Sequence, residues 1–386
     1  MNPFTFNTAA SIQFGSGKLS ALGSLTQTLG AKRVLLVTDQ GVLSTGIIEK
    51  GQTALEDAGL AVTIFADVTA DPSEGVVKAA LEAAREAHVD SVVGIGGGSS
   101  LDVAKLVALL VDGSQLLEDC YGVGNAKGPR LPLVLVPTTA GTGSEVTPIS
   151  IVTTAGDEKM GVVSPVILPD IAILDPLLTV GLPAPITAAT GIDAMVHAIE
   201  AYASISPNNN PISKRLAQLA LGLMGPAIEK AVHQGDDIDA RSDMLLGSLL
   251  AGQAFANSPV AAVHALAYPL GGHFHIPHGL SNALVLPHVM RFNVVTNPEP
   301  YAELAPSLFP ALADISGMKQ RAEAFCEQLS ALSRACGLQQ TLREMGISEE
   351  ILPRLASDAM NQQRLLVNNP REVTEVDALN IYRSAF

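Results

Sequence analysis

The chain has no tryptophan, and aromatic residues fill only 4% of its 386 positions. Stacking platforms for nucleobases are therefore not expected. Lys and Arg together number 23 against 38 Asp and Glu, a net charge of −15. That balance argues against nucleic acid, which demands clustered basic residues. No apolar run approaches the ~18 residues that span a bilayer, so no membrane segment is expected. The N-terminal MNPFTF lacks the basic start and apolar core of a signal peptide. Cys120, Cys326 and Cys336 are odd in number, widely spaced and without a C-x-x-C pair. Reduced thiols in a cytoplasmic compartment fit them better than disulfides or metal ligation. Charged residues are scarce at 16%, but hydrophobic ones reach 47%, which excludes a disordered chain.

What is present fits two domains, since one core rarely serves more than ~200 residues. Apolar strand-like runs occur at Arg33–Asp39, Ala61–Ala66, Ser91–Ile95 and Leu131–Pro137. Helical patterns separate them at Gly46–Ala58, Ser73–His88 and Ser100–Val111. Continuous apolar strands alternating with helices imply a parallel sheet covered on both faces, with ligands at the carboxyl ends of the strands. After Asp175-Pro176 strand signals stop. Helix-period segments follow at Pro185–Ser204, Pro211–His233, Asp237–Asn257, Gly279–Phe292, Met318–Cys336 and Thr374–Ser384, with Ser206–Pro211 as a loop. Prolines at 183 and 185 place the boundary there: an α/β domain over 1–183 and an all-helical domain over 184–386.

Gly94–Asp102 (GIGGGSSLD) follows a strand and opens a helix. Glycines admit phosphate close to the backbone, and a helix N-terminus offers free N–H groups. Ser99 or Ser100 is suited to cap that helix. A tight turn without a ligand would read the same way. Asp39 ends an earlier strand, where a carboxylate accepts hydrogen bonds from a ribose and repels a 2′-phosphate, favouring NAD over NADP. A plain turn-forming Asp before Gly41 is the alternative. Pro137–Glu145 (PTTAGTGSE) is a second polar loop after a strand, with four hydroxyls suited to phosphate, ribose or nicotinamide; a solvated loop would look similar.

Asp193 and His197 are four apart in an otherwise apolar helical segment and share a face. Buried polar groups need partners, and a cation or a mutual hydrogen bond would serve. Five of the eight histidines fall between 264 and 288, including His264, His273, His275 and His278. Asp plus His without thiolate suits Fe(II) or Zn.

Four segments resemble the iron-containing (group III) alcohol dehydrogenases: GGGSSLDVAK (Gly96–Lys105), PTTAGTGSE (Pro137–Glu145), GIDAMVHAIEAY (Gly191–Tyr202) and HALAYPLGG…PHG (His264–Gly279). They span most of the chain in order. The resemblance implies a Rossmann-like parallel-sheet dinucleotide-binding domain followed by an all-α domain, the dehydroquinate synthase-like/iron-containing alcohol dehydrogenase fold, with the site in the cleft between them. It implies Asp193, His197, His264 and His278 as metal ligands. It also implies Asp39, Gly97, Gly98, Ser99, Asp102, Thr138, Thr139, Thr142 and Lys159 as NAD(P) contacts, and a homodimer or larger assembly.

The chain departs from that pattern in two places. Tyr268 stands where relatives commonly carry a histidine with a proton-relay role, and a phenol is a poorer relay than an imidazole at neutral pH. Tyr268, His273 and His275 are therefore the candidates for that role. Asn257-Ser258-Pro259-Val260-Ala261 replaces a glycine-rich stretch, so Pro259 and Ala261 should stiffen and narrow the pocket wall. Phe255, Ile151 and Leu266 read as core first and pocket wall second. The expected activity is hydride exchange between NAD and a small alcohol or aldehyde, with Fe(II) or alternatively Zn. The competing expectations are a metal-independent reductase like maleylacetate reductase and a metal- and NAD-using lyase like dehydroquinate synthase. A metal-storing protein is a remoter alternative, and it would not need the dinucleotide cradle.

Overall fold

The computed structural model describes residues 3–154 and 158–386. Contacts divide it into two compact units, Asn7–Leu182 and Pro183–Phe386, the second joined by the N-terminal residues through Phe6. The carboxamide of Asn208 holds Thr5 in that second unit, accepting from its N–H and donating to its C=O, both at 2.9 Å.

The strands of the first unit are β1 (Ser11–Phe14), β2 (Arg33–Asp39), β3 (Ala61–Val68), β4 (Ser91–Gly96), β5 (Gly122–Val123), β6 (Leu133–Pro137), β7 (Ile149–Thr153), β8 (Lys159–Val163) and β9 (Ile171–Leu174). Six form one parallel sheet in the order β1-β9-β6-β4-β2-β3. Successive side chains of a strand face opposite ways, and both faces are covered here. Leu35 and Val37 of β2 join one core with Val92, Leu133 and Leu135. Val34 and Leu36 join the other with Val93, Ile95, Val134 and Val136. Two buried faces are why β2, β4 and β6 read as unbroken apolar runs. The Glu74–Glu86 and Gly98–Leu110 helices supply the first core, and Ile47–Asp57 the second.

From β2 the chain steps out to β3, then crosses back over β2 to β4 and moves away through β6 and β9. The strand order reverses between β2 and β4, which makes the crevice beyond their carboxyl ends the favoured ligand position of such sheets. Five adjacent strands, β9-β6-β4-β2-β3, follow the flavodoxin-like order of the doubly wound folds, with β1 added beyond β9. A second sheet, β5-β8-β7, pairs β7 with β8 antiparallel.

The second unit contains no strand among the described residues. Its longest helices are Ala184–Ala203, Pro211–His233, Ile238–Asn257, Ala262–Phe274, His278–Val294 and Met318–Ala335. Side-chain caps set several starts: Asn210 accepts from Ser213 N–H, Asp237 from Ala240 N–H, and Thr374 forms a capping box with Asp377. No helix in the described residues is long and apolar enough to cross a membrane. The three cysteines are buried and free.

Candidate metal centre and dinucleotide cradle

Asp193 and His197 lie one turn apart on the Ala184–Ala203 helix, as their spacing requires. His264 comes from the first turn of Ala262–Phe274, and His278 is the first residue of His278–Val294. One ligand atom from each of the four lies within 4.8 Å of the others. Asp193, His197 and His264 are buried, whereas the His278 side chain is 32% exposed. The close approach of the two helices depends on Gly279, because a Cβ there would fall against the carbonyl oxygen of Ala189.

Electrostatics favour a cation in this cluster. Burial pushes the Asp193 carboxyl up, but His197, His278, His264 and the Asn282 amide together hold it below the ordinary range. The Asn282 Nδ2 donates to Asp193 Oδ1 at 2.6 Å and lies 3.2 Å and 3.3 Å from the Nε2 atoms of His264 and His278. One NH2 group thus serves three acceptors that face each other, while the buried Asn282 Oδ1 has no partner. A divalent cation satisfies three imidazole nitrogens and a carboxylate oxygen far better. The residues fit such an ion.

Glu200, one further turn along the first helix, completes the surroundings. Its Oε2 accepts from His264 Nδ1 at 2.6 Å and its Oε1 from Val263 N–H at 2.7 Å. The carboxylate fixes the proton on Nδ1 and leaves Nε2 turned to the cluster. Phe255 stacks on His197 at 4.3 Å. Leu266 is fully buried, its carbonyl accepting from Tyr382 Oη.

Of the three relay candidates, Tyr268 lies beside the cluster, its ring 5.9 Å from that of His278. His273 turns to Asp358, with Nε2 2.6 Å from the carboxylate. His275 caps the end of its helix in a left-handed conformation, φ 53°, and is exposed. Neither joins the four-ligand cluster.

In the first unit, Gly97 caps the Gly98–Leu110 helix and no side chain bonds its first N–H groups. The capping expected of Ser99 or Ser100 does not occur. Ser100 instead donates to Asp39 Oδ2 at 3.1 Å, because the turn of the chain aims its hydroxyl across to β2. Asp39 caps the short Gln40–Leu43 helix through Val42 N–H, so its carboxylate is held at the crevice between β2 and β4. Gly98 must be glycine: a Cβ would sit 2.7 Å from Thr142 Cγ2. The Pro137–Glu145 loop is largely buried rather than solvated, and Thr138 N–H bonds the Gly96 carbonyl. Gly97, Gly98, Ser99, Thr139 and Thr142 keep partial exposure around the free helix end.

Asp102 turns inward. It accepts from Ser144 Oγ at 2.6 Å and Ile151 N–H at 2.8 Å, and lies 3.6 Å from Lys105 Nζ. Lys105 is fully buried and donates to Ser144 Oγ, Thr147 Oγ1 and the Ile149 carbonyl. Burial pushes its ammonium below the ordinary lysine range, and the charges of Asp102 and Glu145 work against that. Burial likewise raises the Glu145 carboxyl to about 7. Lys159 pairs with Asp71 at 2.7 Å.

Residues 9–176 match the family described as iron-containing alcohol dehydrogenase, and residues 187–386 match the C-terminal part of the Fe-containing alcohol dehydrogenase family. The chain belongs to the iron-containing alcohol dehydrogenase family. It is an oxidoreductase acting on CH–OH groups, and its Asp193, His197, His264 and His278 form a potential metal site. A long-chain-alcohol dehydrogenase of Geobacillus thermodenitrificans is 42% identical over 96% of this chain and 94% of its own length. The crystal structure of a 1,3-propanediol oxidoreductase is similar over the whole of both chains, with a TM-score of 0.96 and 37% identity. A sulfoacetaldehyde reductase from Bifidobacterium kashiwanohense, solved with NAD+, has a TM-score of 0.87 and 29% identity, covering 99% of this chain and 98% of its own.

In this iron-containing alcohol dehydrogenase, sequence reasoning passed over Glu200, Asn282, Lys105 and Glu145. Spacing could have found the first two: Glu200 is three after His197, and Asn282 four after His278, each on its ligand's own helix face. Lys105 and Glu145 sit inside segments already singled out, but nothing in the chain order announces that they are buried together.

Proposed function

We propose that the chain interconverts a small alcohol and its carbonyl compound, using NAD and a divalent cation held by Asp193, His197, His264 and His278. The convergence of those four side chains from three helices carries the reading. A cation there would supply Lewis acidity toward the alcohol oxygen, and NAD would supply the hydride acceptor. The ligand set is complete, which disfavours a metal-independent reductase. Three nitrogen donors and one carboxylate suit Fe(II) or Zn; the family's name favours iron.

The chain's own residues do the positioning. Glu200 orients His264, and Asn282 holds Asp193. The free N-terminus of the Gly98–Leu110 helix is the proposed seat of the pyrophosphate, bordered by Gly97, Gly98, Ser99 and the hydroxyls of Thr138, Thr139 and Thr142. Asp39, at the crevice between β2 and β4, is the proposed ribose acceptor and favours NAD over NADP. Asp102 supports the loop through Ser144, and Lys159 is assigned to the same cofactor. The unit Asn7–Leu182 is thus assigned to the dinucleotide and Pro183–Phe386 to metal and substrate. Tyr268 is the relay candidate nearest the metal cluster. The proposed assembly is a homodimer or larger, and the proposed compartment the cytoplasm.

Removing metal with a chelator and restoring Fe(II) or Zn tests the reading. NADH formation from short alcohols should vanish and return with the metal. Full activity after exhaustive chelation would overturn it.

A further inference from the structure

The metal ligands meet solvent at His278, the one partly exposed member of the set. Beside it stands Tyr268, and over the Tyr268 ring lies the guanidinium of Arg364, its Cζ 5.9 Å from the ring centroid. One Arg364 nitrogen is 3.4 Å from the Tyr268 hydroxyl. The guanidinium therefore borders Tyr268, which in turn borders His278 of the metal cluster.

The Arg364 backbone is held in place. The buried Asn368 side chain donates to the Arg364 carbonyl and to the Val260 carbonyl, both at 3.0 Å. That ties its backbone to the segment leading into the helix that carries His264. Its charge is not spent elsewhere: among the described residues no carboxylate lies within 4.0 Å of it. The residues flanking its short helix, Met360, Asn361, Val367 and Asn368, are all uncharged. Asp358 is already engaged by His273 and by Arg354. Arg364 is exposed and stands next to Tyr268, on the side where His278 brings the metal cluster to solvent. Arginine keeps its charge at every working pH and offers a planar fork of donors that matches a carboxylate.

We propose that Arg364, braced by Tyr268, selects substrates with a carboxylate at the end remote from the alcohol: short ω-hydroxy acids and the corresponding aldehyde acids. The inference rests on the alcohol dehydrogenase reading and deepens it. The balance is that of the reaction already assigned: the alcohol carbon gives a hydride to NAD+, the hydroxyl gives up a proton, and the carboxylate is unchanged.

The test compares γ-hydroxybutyrate with n-butanol on the metal-loaded protein, native and as Arg364→Met and Arg364→Lys. The ratio of kcat/KM for the hydroxy acid over n-butanol should exceed one in the native chain. It should fall by at least about tenfold in Arg364→Met, the loss expected of a charge-assisted hydrogen bond, with Arg364→Lys between. Raised salt should lower the native ratio. Calorimetric titration with γ-hydroxybutyrate should show a Kd raised by at least about tenfold in Arg364→Met. A ratio and Kd unaltered by Arg364→Met overturn the inference and leave the dehydrogenase reading standing. Turnover of neither alcohol by the native protein overturns both.

Discussion

Glu200 Oε2 and His264 Nδ1 are 2.6 Å apart, so a buried carboxylate dictates which nitrogen of a metal-facing imidazole carries the proton. Its other oxygen is occupied by the Val263 N–H, which leaves the carboxylate no freedom to turn away. Such partners commonly govern metal affinity by about 10–100-fold. Glu200→Gln should weaken metal binding within that range while the protein stays folded. Competition against a chelator of known affinity measures it. Binding as tight as native would show that Glu200 is only a packing residue.

Gly279 controls the distance between the two helices that bring Asp193 and His278 together. A methyl group there must displace the Ala189 carbonyl, and it also crowds the Cβ of Asp193. Gly279→Ala should lower stability by about 1–3 kcal/mol, the usual cost of overpacking, and reduce bound metal per chain. Denaturant unfolding and metal analysis of the purified variant read both effects. Native values for each would mean the helices move apart freely.

The juxtaposition of Asp193 and His197 was legible in the sequence because their spacing is helical, whereas His264 and His278 joined them only through the family resemblance. Asp193 and His197 are four apart in an apolar run, and a polar pair on a buried face demands a partner. β2, β4 and β6 were legible for the same kind of reason, since each is an unbroken apolar run buried on both faces. β1 and β9 escaped because four residues carry too little period to register. β7 alternates half-buried and buried positions, but neither it nor β8 was singled out in the sequence, since each is only five residues long. The helices Glu299–Leu308 and Leu352–Ala359 are short, and each contains or opens beside a proline. The inward turn of Asp102 toward Lys105 was beyond reach, because nothing in GGGSSLDVAK says which of its polar groups faces the core.

Glu145 gives stability a pH dependence whose sign follows from burial. Its carboxyl is raised from 4.5 to about 7 in the folded chain. The folded state therefore holds a proton that the unfolded chain has already released between those values. Stability should fall as pH rises through that window and level off above about 7. Glu145→Gln should flatten that fall. Melting temperatures from pH 4 to pH 8 for both proteins settle it; parallel profiles would contradict the assignment to Glu145.

Lys105 is the single ammonium in a buried polar cluster with Asp102 and Glu145. Lys105→Met leaves Asp102 facing Ser144 without a cation. Removal of one partner of a buried pair costs about 3–5 kcal/mol, and a loss of that order is expected in chemical unfolding. A change below about 1 kcal/mol would mean that Asp102 is already neutral when Lys105 is present.

The most direct measurement is bound metal and alcohol-dependent NADH formation on the same samples, native and Asp193→Asn, after chelation and reloading. The native chain should regain about one metal ion and its activity together, and the variant should regain neither. An Asp193→Asn protein that turns over alcohol at the native rate with no metal bound would contradict the role assigned to the four converging side chains.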